Sequence, residues 1–188
     1  MSSSKWLVMA AAMTLAACGS READDRVAID NGAVDINASM PVEAGPATTA
    51  GDFVTAVGAS DLYEIEAGRI AAQKANSEEL KSFADMLVAD HQKSTADLKT
   101  AAGQSSPPVT VSPALDAEKQ GLLDALKNAG AADFDRTFVD QQKQAHQKAL
   151  DLLRRYQSSG DSQSLKDFAG KASAVVQAHL DRLNGLSL

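Results

Sequence analysis

Four long stretches of this chain carry an apolar stripe at helical spacing, and residues that stop helices stand between them. That pattern leaves little room for any fold but a helical bundle. The first stretch runs from about Asp52 to Ala75. At 100° per residue, Phe53, Val57, Glu64, Gly68, Ala71 and Ala75 share one face. Asn76-Ser77 breaks it, and Asn76 with Glu79 forms a capping-box-like start for the second stretch. The second runs to about Ala102, with Leu80, Ala84, Leu87, Val88, His91 and Leu98 inward. After a Ser- and Pro-rich loop, Gly103 to Pro108, Ser112-Pro113 reads as an N-cap with proline at the first position of a short helix. That helix ends near Asn128, before Gly130. Asp133 caps the third long stretch, whose stripe is Phe134, Phe138, Val139, His146, Ala149, Leu153 and Tyr156. Ser158-Ser159-Gly160-Asp161 turns the chain into the last, striped by Leu165, Phe168, Ala172, Val175, Val176, His179 and Leu183.

Composition agrees with this reading. Hydrophobic residues make up 44% of 188, enough for one core, but aromatics are only 4% and alanine is abundant, which favours close-packed helices over a β-sandwich. The expected fold is an all-α four-helix bundle with a short extra connecting helix, occupying residues 51–188. Leu80-Lys81-Ser82-Phe83-Ala84 matches Leu165-Lys166-Asp167-Phe168-Ala169, and the spacing from Phe83 to His91-Gln92-Lys93 matches that from Phe138 to His146-Gln147-Lys148. Two stacked helix hairpins would give this repeat. So would chance similarity among Ala- and Lys-rich helices.

Ahead of the bundle, residues 1–17 read as a signal. Lys5 precedes an apolar run, Trp6 to Ala17, too short to span a bilayer. The run ends in Leu15-Ala16-Ala17-Cys18, and Cys18 is the single cysteine. Leu-Ala-Ala-Cys resembles the bacterial lipobox, which implies cleavage before Cys18 and a lipid on its thiol. A buried small hydrophobe or an intermolecular disulfide are the alternatives, but a cysteine at the end of an apolar leader has no core to enter. Several acyl chains at about 0.8 kcal/mol per buried CH₂ anchor firmly. Gly19 after the cysteine, rather than Asp, implies the outer membrane by the enterobacterial sorting rule that accompanies the lipobox. Gly19 to about Ala50, with Asp24-Asp25, Asn31-Gly32 and Gly45-Pro46, shows no sustained period and reads as a tether. Removing the leader, whose only charged side chain is Lys5, takes the formal net charge from −7 to −8. Such a chain repels nucleic acid, and its expected partner is the membrane that holds its anchor.

The chemistry the chain carries is concentrated in three histidines, all on apolar faces. His91 falls among Leu80, Ala84, Leu87 and Leu98, and His179 among Phe168, Ala172, Val176 and Leu183. His146 lies nearer the edge of its stripe. Glu64 is mid-face on the first helix, Asp61 lies one turn before it on the inner side, and Glu66 points to solvent. At 1.5 Å per residue, Glu64 and His91 lie about 18 and 22 Å below the first hairpin turn, and His146 and His179 about 20 and 28 Å below the second. If both turns sit at one bundle end, Glu64, His91 and His146 share a layer and His179 lies about a turn lower. A carboxylate and imidazoles converging from four helices can bind a divalent transition metal. The same four groups can instead satisfy one another in a buried hydrogen-bonded network. Met86 and the other methionines read as packing or leader residues rather than copper ligands.

Phe53 with Tyr63-Glu64-Ile65-Glu66-Ala67-Gly68, then Lys81-Ser82-Phe83-Ala84-Asp85-Met86-Leu87-Val88-Ala89-Asp90-His91, resembles the bacterial domain of unknown function numbered 4142. Phe134-Asp135-Arg136, His146, Leu165 to Ala169 and His179-Leu180 continue the resemblance, over about residues 52–185. It implies a ferritin-like bundle in an exported chain, with no established activity. True di-iron ferritin-like proteins place a Glu three residues before each ligating His. Here Val88 and Val176 stand at those offsets, so the carboxylates for two irons are missing. The expected function is therefore a non-catalytic, outer-membrane-tethered periplasmic bundle that binds a metal or small ligand, or meets a partner in envelope stress. A metal-dependent redox enzyme at Glu64, His91, His146 and His179, and a purely structural module, are the alternatives.

Overall fold

Three of the five described helices start at a side chain that takes up a free N–H group of the first turn. In the computed structural model, which describes residues 48–186, Thr49 does this for α1 (Ala50–Lys74), accepting from Asp52 N at 3.2 Å. Ser77 accepts from Leu80 N at 3.3 Å to open α2 (Glu78–Gly103). Asp116 accepts from Lys119 N at 2.8 Å to open α3 (Ala117–Asn128). The remaining helices, α4 (Ala131–Ser159) and α5 (Gln163–Gly185), start at Gly130 and Ser162 without a side-chain cap. The described residues contain these five helices and no strand, and none of the helices is long and apolar enough to cross a membrane. The leader, Cys18 and the tether up to residue 47 lie outside the described residues.

Three helix starts differ from the sequence expectation. Asn76 does not cap α2. Its side chain instead donates to Ala131 O at 2.7 Å, and Asp135 accepts from Asn76 N at 2.9 Å and Ser77 N at 3.1 Å. The α1–α2 turn is thus clamped by the first turn of α4, which gives Asp135 its role. Ser112-Pro113 does not open α3, because that stretch runs extended along α1, where Pro113 and Val111 lie beside Gly58. Nor does Asp133 cap α4. It sits inside the first turn and pairs with Arg136 at 2.7 Å. The first helix also begins two residues early, so Ala50 belongs to the bundle and not to the tether.

Pairing is closest between α1 and α2 and between α4 and α5, the two expected hairpins. At Gly68 an added Cβ would stand 2.7 Å from Val88 Cγ2 and 3.0 Å from Ala84 O, so glycine is what lets α1 approach α2 there. The hairpins stack with α1 beside α4 and α2 beside α5. Phe53 near the start of α1 stacks on Tyr156 near the end of α4, with ring centroids 3.9 Å apart. Asp161, in the α4–α5 turn, accepts from Tyr156 Oη at 2.8 Å and Ala50 N at 3.3 Å. The two hairpin turns therefore lie at opposite ends of the bundle, and neighbouring helices are antiparallel. Residues 104–130 must run the length of the bundle to join α2 to α4, and α3 covers α1 and α4 on the way. Lys74 fixes the end of α3 by donating to Leu126 O, Lys127 O and Ala129 O at 2.6–3.2 Å.

The core falls into two apolar halves. One holds Phe53, Leu98, Leu150, Tyr156, Leu165 and Phe168, and the other Tyr63, Leu80, Phe83, Leu126, Phe134 and Phe138. Between them, at mid-height on all four long helices, lies a buried polar layer: Asp61, Glu64, His91, Gln142, His146 and His179.

Candidate metal centre

The three histidines meet in this layer. His91 comes from α2, His146 from α4 and His179 from α5, and all are buried. Ring centroids are 5.7 Å apart for His91–His146 and His91–His179 and 5.3 Å for His146–His179. One nitrogen from each ring lies within 4.8 Å of the other two. His179 is thus not a turn lower, and the reason is the topology. Counted at 1.5 Å per residue from the Phe53 end, where α1 and α5 start and α2 and α4 finish, Glu64, His91, His146 and His179 lie about 21, 18, 20 and 24 Å down. Helical side chains also lean toward their own N-terminus. His179 on α5 therefore leans up while His91 and His146 lean down, which closes the remaining offset.

Hydrogen bonds decide which nitrogen of each ring is free. His91 Nδ1 lies 2.8 Å from Asp61 Oδ1, His146 Nδ1 lies 2.9 Å from the Gln142 carbonyl, and His179 Nε2 lies 2.9 Å from Asp90 Oδ2. A carboxylate or carbonyl oxygen has no proton to give, so the ring nitrogen donates in each case. The lone pairs of the neutral rings are then on His91 Nε2, His146 Nε2 and His179 Nδ1. His91 Nε2 is buried with no partner. His146 Nε2 and His179 Nδ1 face each other at 3.1 Å, two acceptors with no proton between them. Two imidazole nitrogens on one tetrahedral metal stand about 3.3 Å apart, given metal–nitrogen bonds of about 2.05 Å. The donor set fits a transition metal: three nitrogens of suitable chemistry, aimed inward, each ring held by an anchor on its far side.

Electrostatics support neutral rings at His146 and His179. Burial, with the proximity of His91 and His179, pushes His146 down to about 3. Burial also lowers His179, partly offset by its hydrogen bond to Asp90. Burial pulls His91 down too, but the Asp61 hydrogen bond and the charges of Glu64, Asp61 and Asp90 together hold it above the ordinary histidine value. The Thr95 hydroxyl lies 3.1 Å from Asp61 Oδ2 and 3.0 Å from the His91 carbonyl, and donates to one of them.

Glu64 stands beside the triad rather than in it. Its Oε1 is 3.7 Å from His146 Nδ1, the side of the ring turned away from the convergent nitrogens. Its Oε2 is buried without a partner, as are both side-chain polar atoms of Gln142. Burial raises the Glu64 carboxyl from 4.5 to about 7, against the lowering influence of His91. Sequence reasoning placed Asp61 inward but assigned it no role, and it missed Asp90 and Gln142. Asp90 precedes His91 by one residue, 100° away on the wheel, and so reads as solvent-facing. Only the approach of α5 gives it a ring to hold.

Solved structures of similar fold carry copper or silver. The chain is similar to CopM in the Cu(II)-bound form, at 22% identity and a TM-score of 0.62, over 74% of this chain and 95% of that one. CopM in the Ag-bound form, obtained by co-crystallization, gives 23% and 0.60, over 73% and 93%. CopM in the Cu(I)-bound form gives 23% and 0.60, over 72% and 93%. At that identity the likeness establishes the bundle fold. No curated protein matches the chain. The model of one family, described as a domain of unknown function, matches residues 37–186 and spans the whole bundle with its polar layer. The chain belongs to that family, DUF4142.

Proposed function

We propose that this chain is an exported, lipid-anchored binding protein whose bundle holds one divalent transition-metal ion, copper(II) foremost, on His91, His146 and His179. One observation carries the reading. Three buried imidazoles have one nitrogen each tied to Asp61, the Gln142 carbonyl and Asp90, and one nitrogen of each ring lies within 4.8 Å of the other two. Neutral imidazoles suit copper and zinc, and copper(II) binds nitrogen sites most tightly among the divalent first-row ions. The copper-bound neighbours of the same fold support that choice. Val88 and Val176, where di-iron proteins carry glutamates, favour binding over oxygen chemistry. The lipobox-like Leu15 to Cys18 and Gly19 support an anchor in the outer membrane with the bundle on the periplasmic side.

Titrating copper(II), zinc and iron(II) against the full-length chain, with thermal unfolding as readout, tests the metal reading. A bound ion should stabilise by mass action, about 2.7 kcal/mol at a hundred dissociation constants. His91→Ala, His146→Ala and His179→Ala should each remove most of that gain, since all three share the layer. The second reading is a polar network in which one extra proton bridges His146 and His179, favoured by their 3.1 Å contact. No shift with any metal, together with a loss of about 1–3 kcal/mol in each variant, would establish that reading instead.

A further inference from the structure

The two core halves are not equally tight. Leu80, Phe83, Leu87, Phe134 and Phe138 are completely buried, whereas Val57, Ala101, Phe168, Val176 and Leu180 each keep 6–7% of their surface accessible. The accessible half contains a cavity of about 930 Å³ between the two hairpins. Its inner end is formed by Asp61, His91 and His179 of the polar layer, Val57, Leu153, Phe168 and Val176 make an apolar stretch of its walls, and charged side chains such as Lys93, Asp97, Lys119 and Lys148 line the rest. Val175, which the stripe on α5 predicted to face the core, lines the cavity and is 45% exposed. That volume is far larger than a metal ion or a few waters and lies within the range of small-molecule sites.

Resting on the metal reading above, we infer that the cavity admits a small organic ligand that coordinates the histidine-held ion through a neutral nitrogen and packs an apolar body against the walls. The triad supplies three donors, and among the described residues no carboxylate or cysteine joins the group. Three donors with an open fourth position mark a site for an exchangeable ligand rather than a closed structural one. Two of the three rings, His91 and His179, border the cavity, which makes it the approach to that position. Charge selects a neutral donor: Asp61 and Asp90, each bonded to a ligating ring, already offset a doubly charged ion. The apolar stretch of the walls then favours an apolar substituent, because each buried Å² of it contributes about 25 cal/mol.

The test compares imidazole with 4-phenylimidazole on the full-length chain loaded with cobalt(II), whose visible bands report its coordination directly. Both should shift the bands, and 4-phenylimidazole should bind at least tenfold more tightly. Ala172→Phe and Ala149→Phe, each placing a ring in the cavity from a different helix, should keep cobalt binding and the imidazole response but abolish the phenyl preference. Circular dichroism checks that each variant is folded, and either one suffices. Bands that respond to neither ligand, or equal affinities for the two, overturn this inference while leaving the metal site intact. A chain that takes up neither cobalt(II) nor copper(II) overturns the metal reading and this inference with it.

Discussion

Asp61→Asn isolates how a side chain outside the metal's ligand set aims one within it. Asp61 accepts the His91 Nδ1 proton at 2.8 Å and thereby leaves Nε2 as the inward lone pair. Asparagine keeps an acceptor oxygen at that position but loses the charge, and it can rotate to offer its NH₂ instead. Replacing the carboxylate partner of a ligating histidine costs 10- to 100-fold in metal affinity. At a copper(II) concentration of one hundred wild-type dissociation constants, the wild type gains about 2.7 kcal/mol, and the variant about 1.4 or 0.4 kcal/mol for tenfold or hundredfold weaker binding. At about 3 °C per kcal/mol for a chain of this size, a shift of about 8 °C falls to about 4 or 1 °C. Metal-free stability should change by less than about 1 kcal/mol, because the hydrogen bond to His91 persists. Asp61→Leu, by contrast, leaves the His91 N–H unsatisfied and should cost about 1–3 kcal/mol without metal. The measurements are competition titration for affinity and thermal melts with and without metal. Copper affinity of Asp61→Asn within twofold of wild type would refute the claim that Asp61 orients His91.

Further outcomes follow from other parts of the molecule. Gly68→Ala should lose about 1–3 kcal/mol in urea unfolding, since its Cβ would stand 2.7 Å from Val88 Cγ2, and Val88→Ala on top of it should restore part of the loss. Asp135→Ala should cost about 1–2 kcal/mol by freeing Asn76 N and Ser77 N at the α1–α2 turn, and an unchanged unfolding midpoint would count against that clamp. In the metal-free chain the Glu64 carboxyl is raised from 4.5 to about 7 by burial. Its contribution to stability is therefore complete below pH 4.5 and lost as pH rises through about 7. The stability of wild type minus that of Glu64→Gln should fall across that window, by at most about 3 kcal/mol, and a difference flat from pH 4 to 8 would contradict the burial argument. Cys18→Ser should abolish lipidation and leave unprocessed precursor. Labelled palmitate still entering that variant would end the lipoprotein proposal, and Gly19→Asp should shift the chain toward the inner membrane.

Helix count, the stripes apart from Val175, and the inward setting of Glu64, His91, His146 and His179 were legible in the sequence, because angular position on a helix follows from local geometry alone. The break at Asn76-Ser77 and the turn at Gly160 were legible for the same reason. What the sequence left open was axial and long-range. Which bundle end each turn occupies depends on contacts more than fifty residues apart, such as Asp135 with Ser77 and Asp161 with Ala50. That choice moved His179 into the layer. The caps of α2 and α3 went to Ser77 and Asp116 because Asn76 was recruited by α4 and Pro113 by α1. Tautomers were likewise a tertiary matter, since Asp61 and Asp90 reach their rings from neighbouring helices. The cavity was wholly tertiary: it depends on how far two hairpins stand apart, which no periodicity within either hairpin encodes.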